Sequence, residues 1–100
     1  MNISSKLDRF KEHRCPLRFE FKGVNWILEI QYFVCENEQR KEDLDKGYLK
    51  FAVTTDGHEL LICTNSTTEE IFQREFDDVD FLDLTLSDLL KAKVVLLNVT

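Results

Sequence analysis

The sequence predicts one α+β domain over residues 1–100: an antiparallel twisted sheet of four to six strands with a short N-terminal helix and a C-terminal helix packed on it. Three observations lead there. Apolar residues alternate strictly from Val24 to Val34, the period of a half-buried strand. Asp56-Gly57 stands between two apolar runs, the mark of a hairpin turn that needs positive φ. Thr85 precedes a leucine-rich stretch and has Asp88 three residues on, the spacing of a helix capping box.

The elements follow in order. Ile3, Leu7 and Phe10 share a helical stripe and Ser5 with Asp8 has capping-box spacing, so a short amphipathic helix is expected near residues 5–13, ended by Cys15-Pro16. Leu17, Phe19 and Phe21 alternate with Arg18, Glu20 and Lys22 as a first strand, and Gly23 supplies a turn. In the next strand Val24, Trp26, Leu28, Ile30, Tyr32 and Val34 take the core face, and Asn25, Ile27, Glu29, Gln31, Phe33 and Cys35 the other. Trp26, Ile30 and Phe33 also fit a helical stripe, but aromatic and β-branched enrichment favours the strand. Residues 36–47, "ENEQRKEDLDKG", mix both charges around one apolar residue and read as a solvated loop.

Leu49, Phe51 and Val53 then line one strand face and Leu60 and Ile62 the face of its hairpin partner, with Asp56-Gly57 between them. Residues 69–76, "EEIFQREF", read as a further antiparallel strand, and "DDVDFLDL" as an acidic link. Leu86, Leu89, Leu90, Val94 and Leu97 keep helical spacing after Thr85, although "VVLLNVT" is β-branched enough to form a terminal strand instead.

Charge is distributed unevenly. Residues 1–50 hold ten basic and nine acidic side chains, a net of +1; residues 51–100 hold three and ten, a net of −7. Such a surface repels a phosphate backbone and attracts a basic protein, so nucleic acid is not an expected partner. With no long apolar run and a polar start, "MNISSKLDRF", neither a membrane span nor a signal peptide is expected, and the cytoplasm is the expected location. Cys15, Cys35 and Cys63 are odd in number and widely spaced, which suits reduced thiols packed as small apolar residues.

Chemistry has little footing. His13 and His58 lack the partner motifs of nucleophilic catalysis, and Asp56 with His58 lacks a third metal ligand, so Asp56-Gly57-His58 reads as a turn. Asp77, Asp78, Asp80 and Asp83 do not have calcium-loop spacing, and Gly23, Gly47 and Gly57 stand too far apart for a phosphate loop. No enzyme activity, metal or cofactor is expected.

The order "GYLKFAVTTDGHELLICTN", "EEIFQREFDDVDF", "DLTLSDLLKAK" resembles the core of the SUKH superfamily, which includes bacterial immunity proteins that neutralise polymorphic toxins and fungal regulators of cell-wall synthesis. The likeness covers residues 47–93: Gly47-Tyr48 to Phe51-Ala52 leading into a hairpin whose turn carries Asp56-Gly57, a strand from Glu70 to Phe76 with acidic residues after it, and a closing helix around Ser87 to Leu90. The family's usual opening, a helix pair with a Leu-Pro and an Asn-Gly, has no counterpart in residues 1–46, so the resemblance is to a reduced or divergent member. It implies a protein that binds a toxin domain, and the charge makes that partner basic.

The expected function is therefore a cytosolic immunity-type binding module, with Glu69, Glu70, Glu75, Asp77, Asp78 and Asp80 as charge partners for Lys or Arg. The same carboxylates would equally serve as a solvated edge that keeps the sheet from pairing with other chains. The alternative is a homodimeric structural or chaperone-like domain, in which Ile27, Phe33 and Cys35 on the second face of the long strand meet a copy of themselves.

Overall fold

The structure, a computed structural model, describes residues 6, 8, 15–21, 27–34, 38–65 and 67–97. Seven strands form one antiparallel sheet: β1 (Leu17–Glu20), β2 (Ile27–Phe33), β3 (Tyr48–Thr54), β4 (Glu59–Cys63), β5 (Glu70–Glu75), β6 (Asp78–Thr85) and β7 (Lys93–Leu96). Among the described residues two short helices accompany them with both ends placed, α1 (Lys41–Asp45) and α2 (Leu86–Lys91). The spatial order is β6-β5-β4-β3-β2-β1-β7. The expected α+β sheet of four to six strands with two packing helices is thereby corrected to a mostly β architecture, a curled half-barrel with only small helices. Lys6 and Asp8 are helical, and the rest of the expected N-terminal helix lies outside the described residues, as do Gly23, Val24, Trp26 and Cys35.

Connectivity explains the curl. β6 and β7 are the two edges of the sheet, yet only Leu86–Ala92 join them. Six strand spacings laid flat measure about 29 Å, whereas a six-residue helix rises about 9 Å. The edges must bend toward each other. The antiparallel order also makes β6 and β7 run the same way, so α2 returns the chain from the end of β6 to the start of β7 across the open side. Leu86 and Leu89 of α2 are buried there, in one cluster with Leu17, Phe19, Ile30, Phe51, Leu60, Ile62 and Ile71. The helix is a plug for the concave face rather than a layer on it. Its start is as expected: the Thr85 hydroxyl accepts from the Asp88 N–H and the Asp88 carboxylate accepts from the Thr85 N–H at 2.9 Å.

Two of the added elements come from segments that read as irregular. "DDVDFLDL" contributes all but the last residue of β6, whose three aspartates disguise it together with a register shift that inserts Leu82 and Asp83 (φ 60°) opposite the Ile71/Phe72 step. "ENEQRKEDLDKG" contains α1, which lies on the convex face and packs against β3. Leu61 is fully buried yet stands apart from the main core cluster, on the face of β4 that carries Glu59. Bulges also break the expected alternation. A shift between Ile30 and Tyr32 leaves Tyr32 51% exposed, and a shift between Lys50 and Ala52 buries Phe51 and Ala52 together. The terminal "KVVL" takes the strand alternative.

Gly47 joins α1 to β3 at φ 83°, and its carbonyl accepts both the Thr64 N–H (2.7 Å) and the Thr64 hydroxyl (3.0 Å). A Cβ there would collide with the Asn65 side-chain amide. Gly47→Ala is expected to lower stability by about 1–2 kcal/mol, read as a lower urea midpoint at unchanged m-value. No helix among the described residues is long and apolar enough to cross a membrane.

Candidate functional site

Antiparallel pairing brings the β3–β4 and β5–β6 turns to the same end of the sheet, where β2 and β7 also begin. The β3–β4 connection is a hairpin turn, as read from Asp56-Gly57-His58. The Gly57 N–H donates to the Thr54 carbonyl (2.9 Å), the Thr54 N–H donates to the His58 carbonyl (2.8 Å), and Gly57 adopts φ 87°. That pattern is a type I turn followed by a left-handed residue, a geometry for which glycine is the natural choice. Glu75 pairs with Asp78, which leaves Phe76-Asp77 as a two-residue β5–β6 turn. His58 Nε2 lies 3.6 Å from Glu75 Oε1, so the two turns are in contact through these side chains.

Phe76 is the outlier of this end. It holds φ 55° and is 92% exposed, a combination that costs backbone strain and buries nothing. Val79 and Phe81 continue an exposed apolar row along the outer face of β6, where the Phe81 ring lies 5.4 Å from Phe72, itself 5.5 Å from Tyr48. Asp78 and Asp80 alternate with them and so stand on the concave side, Asp80 directly opposite Gln73. Beside Gln73 opens a cleft of about 370 Å3, lined among the described residues by Ile27, Leu28, Glu29, Thr54, Thr55, Asp56 and Gln73.

The carboxylates of this end differ in how far they are already engaged. Glu29 receives Arg18 (3.0 Å) and the Thr55 hydroxyl (3.3 Å). Asp56, Asp77, Asp78 and Asp80 have no ion-pair partner among the described residues, and all four are exposed. Among the described residues, this end therefore presents an excess of unpaired carboxylates around a concave opening.

A neutral ion network braces the convex side behind it. The Arg74 guanidinium donates two bonds to Asp43 of α1 (2.6 and 3.0 Å) and one to Glu59 of β4 (2.8 Å); Lys50 Nζ donates to the other Glu59 oxygen (2.9 Å). Arg74 and Glu59 are direct cross-strand partners. The bond from Arg74 holds the Asp43 carboxyl below its ordinary value against the opposing effect of burial. Burial would raise Glu59, but the bonds from Arg74 and Lys50 outweigh it and the carboxyl is likewise lowered. The Gln39 amide completes the attachment of the α1 segment, donating to the Lys50 carbonyl (2.7 Å) and accepting the Lys50 N–H (2.8 Å) where a neighbouring strand would otherwise bond.

The six carboxylates expected to bind a partner fall into two groups, separated by the length of β5. Glu75, Asp77, Asp78 and Asp80 gather at the acidic end. Glu69 and Glu70 lie at the opposite end of β5, where Lys6 Nζ reaches Glu69 Oε1 at 2.6 Å and the Thr68 hydroxyl reaches Glu70 at 3.1 Å. Sequence reasoning passed over Glu29, Asp56 and Phe76 as members of the site. The alternation of strand direction was the available signal, because it places every second turn at one end. Phe33, expected on a dimer face, packs in part against this chain's own core, while Ile27 is 53% exposed. No protein-family model, curated protein or solved structure matches the chain.

Proposed function

We propose that the chain is a non-catalytic protein-binding module that docks a basic partner against the acidic end of the half-barrel. The observation that carries this reading is the convergence there of Asp56, Glu75, Asp77, Asp78 and Asp80 around an exposed, strained Phe76. Surface carboxylates alone steer an encounter, and an aromatic anchor supplies the contact energy that rim charges lack. A large aromatic held at positive φ in full solvent contributes nothing to folding, which favours a role outside the fold. The narrower form of the proposal, a cytoplasmic immunity-type protein that occupies the active face of a toxin domain, rests on the resemblance of residues 47–93 to the SUKH core.

The test compares the chain with two variants in salt-dependent capture of proteins from its own cells. Neutralising Glu75, Asp77, Asp78 and Asp80 to their amides is expected to remove partners retained at low salt, a loss of at least about tenfold in affinity. Phe76→Asn is expected to weaken the same partners while leaving stability equal or higher by up to about 1 kcal/mol, because Asn tolerates the left-handed region. Retention that ignores both variants and salt, or capture of nothing but further copies of the chain, would overturn the proposal.

A further inference from the structure

The mouth cleft has the chemistry of a receptor for one kind of side chain, and we infer that it receives an arginine of the basic partner. This deepens the proposed docking of such a partner and rests on it. The cleft offers hydrogen-bond acceptors from several directions. Among the described residues Asp56 has no ion-pair partner and the Gln73 side chain, set across from Asp80, makes no hydrogen bond, while Glu29 is shared with Arg18 and Thr55. The Thr55 hydroxyl already donates to Glu29, which leaves its lone pairs to accept.

Ile27 and Leu28 supply an apolar wall against which an aliphatic stem can lie. A volume of about 370 Å3 admits such a side chain with room for water. The spread of acceptors separates arginine from lysine. A guanidinium presents five donors in one plane and bonds two neighbouring acceptors at once, whereas an ammonium is a compact, strongly hydrated point charge. It also sheds water more readily on entering a half-apolar cleft. Phe76 stands outside the cleft on the adjacent turn, so anchor and receptor are separate parts of one surface.

Two ten-residue peptides of equal charge, five Arg-Ser repeats and five Lys-Ser repeats, provide the test by NMR titration of the full chain at low salt. The arginine peptide is expected to bind about tenfold more tightly and to shift the amides of Leu28, Thr54, Thr55, Asp56 and Gln73. Gln73→Leu should reduce the preference and Gln73→Glu should increase it, with circular dichroism confirming that both remain folded. Equal binding of the two peptides, with shifts confined to residues 75–80, would overturn the arginine cleft and leave the basic-partner reading standing. Binding of neither peptide at low salt would overturn both.

Discussion

Arg74→Met is expected to destabilise the protein by about 3–5 kcal/mol, although a residue of similar length still fills the space. The cost comes from what remains. Asp43 and Glu59 are largely shielded from water, with 6% and 22% of their side-chain surface exposed, and the variant leaves Asp43 without a hydrogen-bonding cation. Lys50 continues to serve Glu59, so the larger penalty falls on Asp43. Substituting Asp43 and Glu59 by apolar residues in the Arg74→Met background should recover most of the loss, since a removed ion network is often close to neutral when no charge is stranded.

The pH profile separates this cause from mere loss of packing. Both carboxyls lie below their ordinary values of 3.8 and 4.5 in the folded chain, so their contribution is full above those values. It is lost as pH falls through the lowered folded values. The unmodified chain should therefore weaken steadily on acidification below about pH 4.5. In Arg74→Met the stranded Asp43 is raised by burial, and its contribution reverses sign: stability gained on protonation, lost as pH rises. Urea midpoints between pH 3 and 7 should show the difference between the two proteins shrinking toward the acid end. A gap of under about 1 kcal/mol at pH 7, or one independent of pH, would show that the network is solvated and not structural.

The parts of this fold legible in the sequence are those where local chemistry and tertiary position agree. Leu17 with Phe19, Leu60 with Ile62, the Asp56-Gly57 turn and the Thr85 cap are each specified by residues adjacent to them, and each was placed correctly. β6 was missed for a physical reason. Its aspartates are poor strand formers and its bulge at Leu82-Asp83 destroys the period of two, yet an edge strand has half of its ladder unpaired and benefits from both features.

α1 was missed for the opposite reason, because little local favours it beyond Glu42 and Asp43 in its first turn, and no side chain caps its start. Its five residues include one apolar side chain, Leu44, which is half exposed, and it is held by Asp43 reaching Arg74, 31 residues later. The acidic end shows the same division. The charge imbalance of the second half was visible by counting, but the separation of Glu69 and Glu70 from Glu75 to Asp80 follows from a strand running between them. Glu29 joins the site from the other half of the chain through pairing of β2 with β3.

Leu86→Ala carries the second large effect, because it tests the closure on which the half-barrel depends. Leu86 is 1% exposed, belongs to the main core cluster, and sits at the first position of α2, where its N–H donates to the Glu69 carbonyl at 3.0 Å. Truncation removes apolar contacts on the open side of the sheet, where no second layer can move in to fill the gap, so a loss of about 3–4 kcal/mol is expected. Leu96→Ala, at a half-exposed position of the edge strand β7, should cost under about 0.5 kcal/mol and serves as the comparison.

Hydrogen exchange adds a spatial readout. Among the described residues, β7 is held by its ladder with β1, by the Leu97 N–H to the Pro16 carbonyl (3.1 Å), by Val94 packing against the core, and by α2. Weakening α2 should therefore release the exchange of Val94 and Val95 before that of Leu60 to Ile62 in the centre of the sheet. Uniform loss of protection across β4 and β7 would mean that the sheet holds its curvature without the plug. In that case the short connection from β6 to β7 would be a consequence of the curl and not one of its causes.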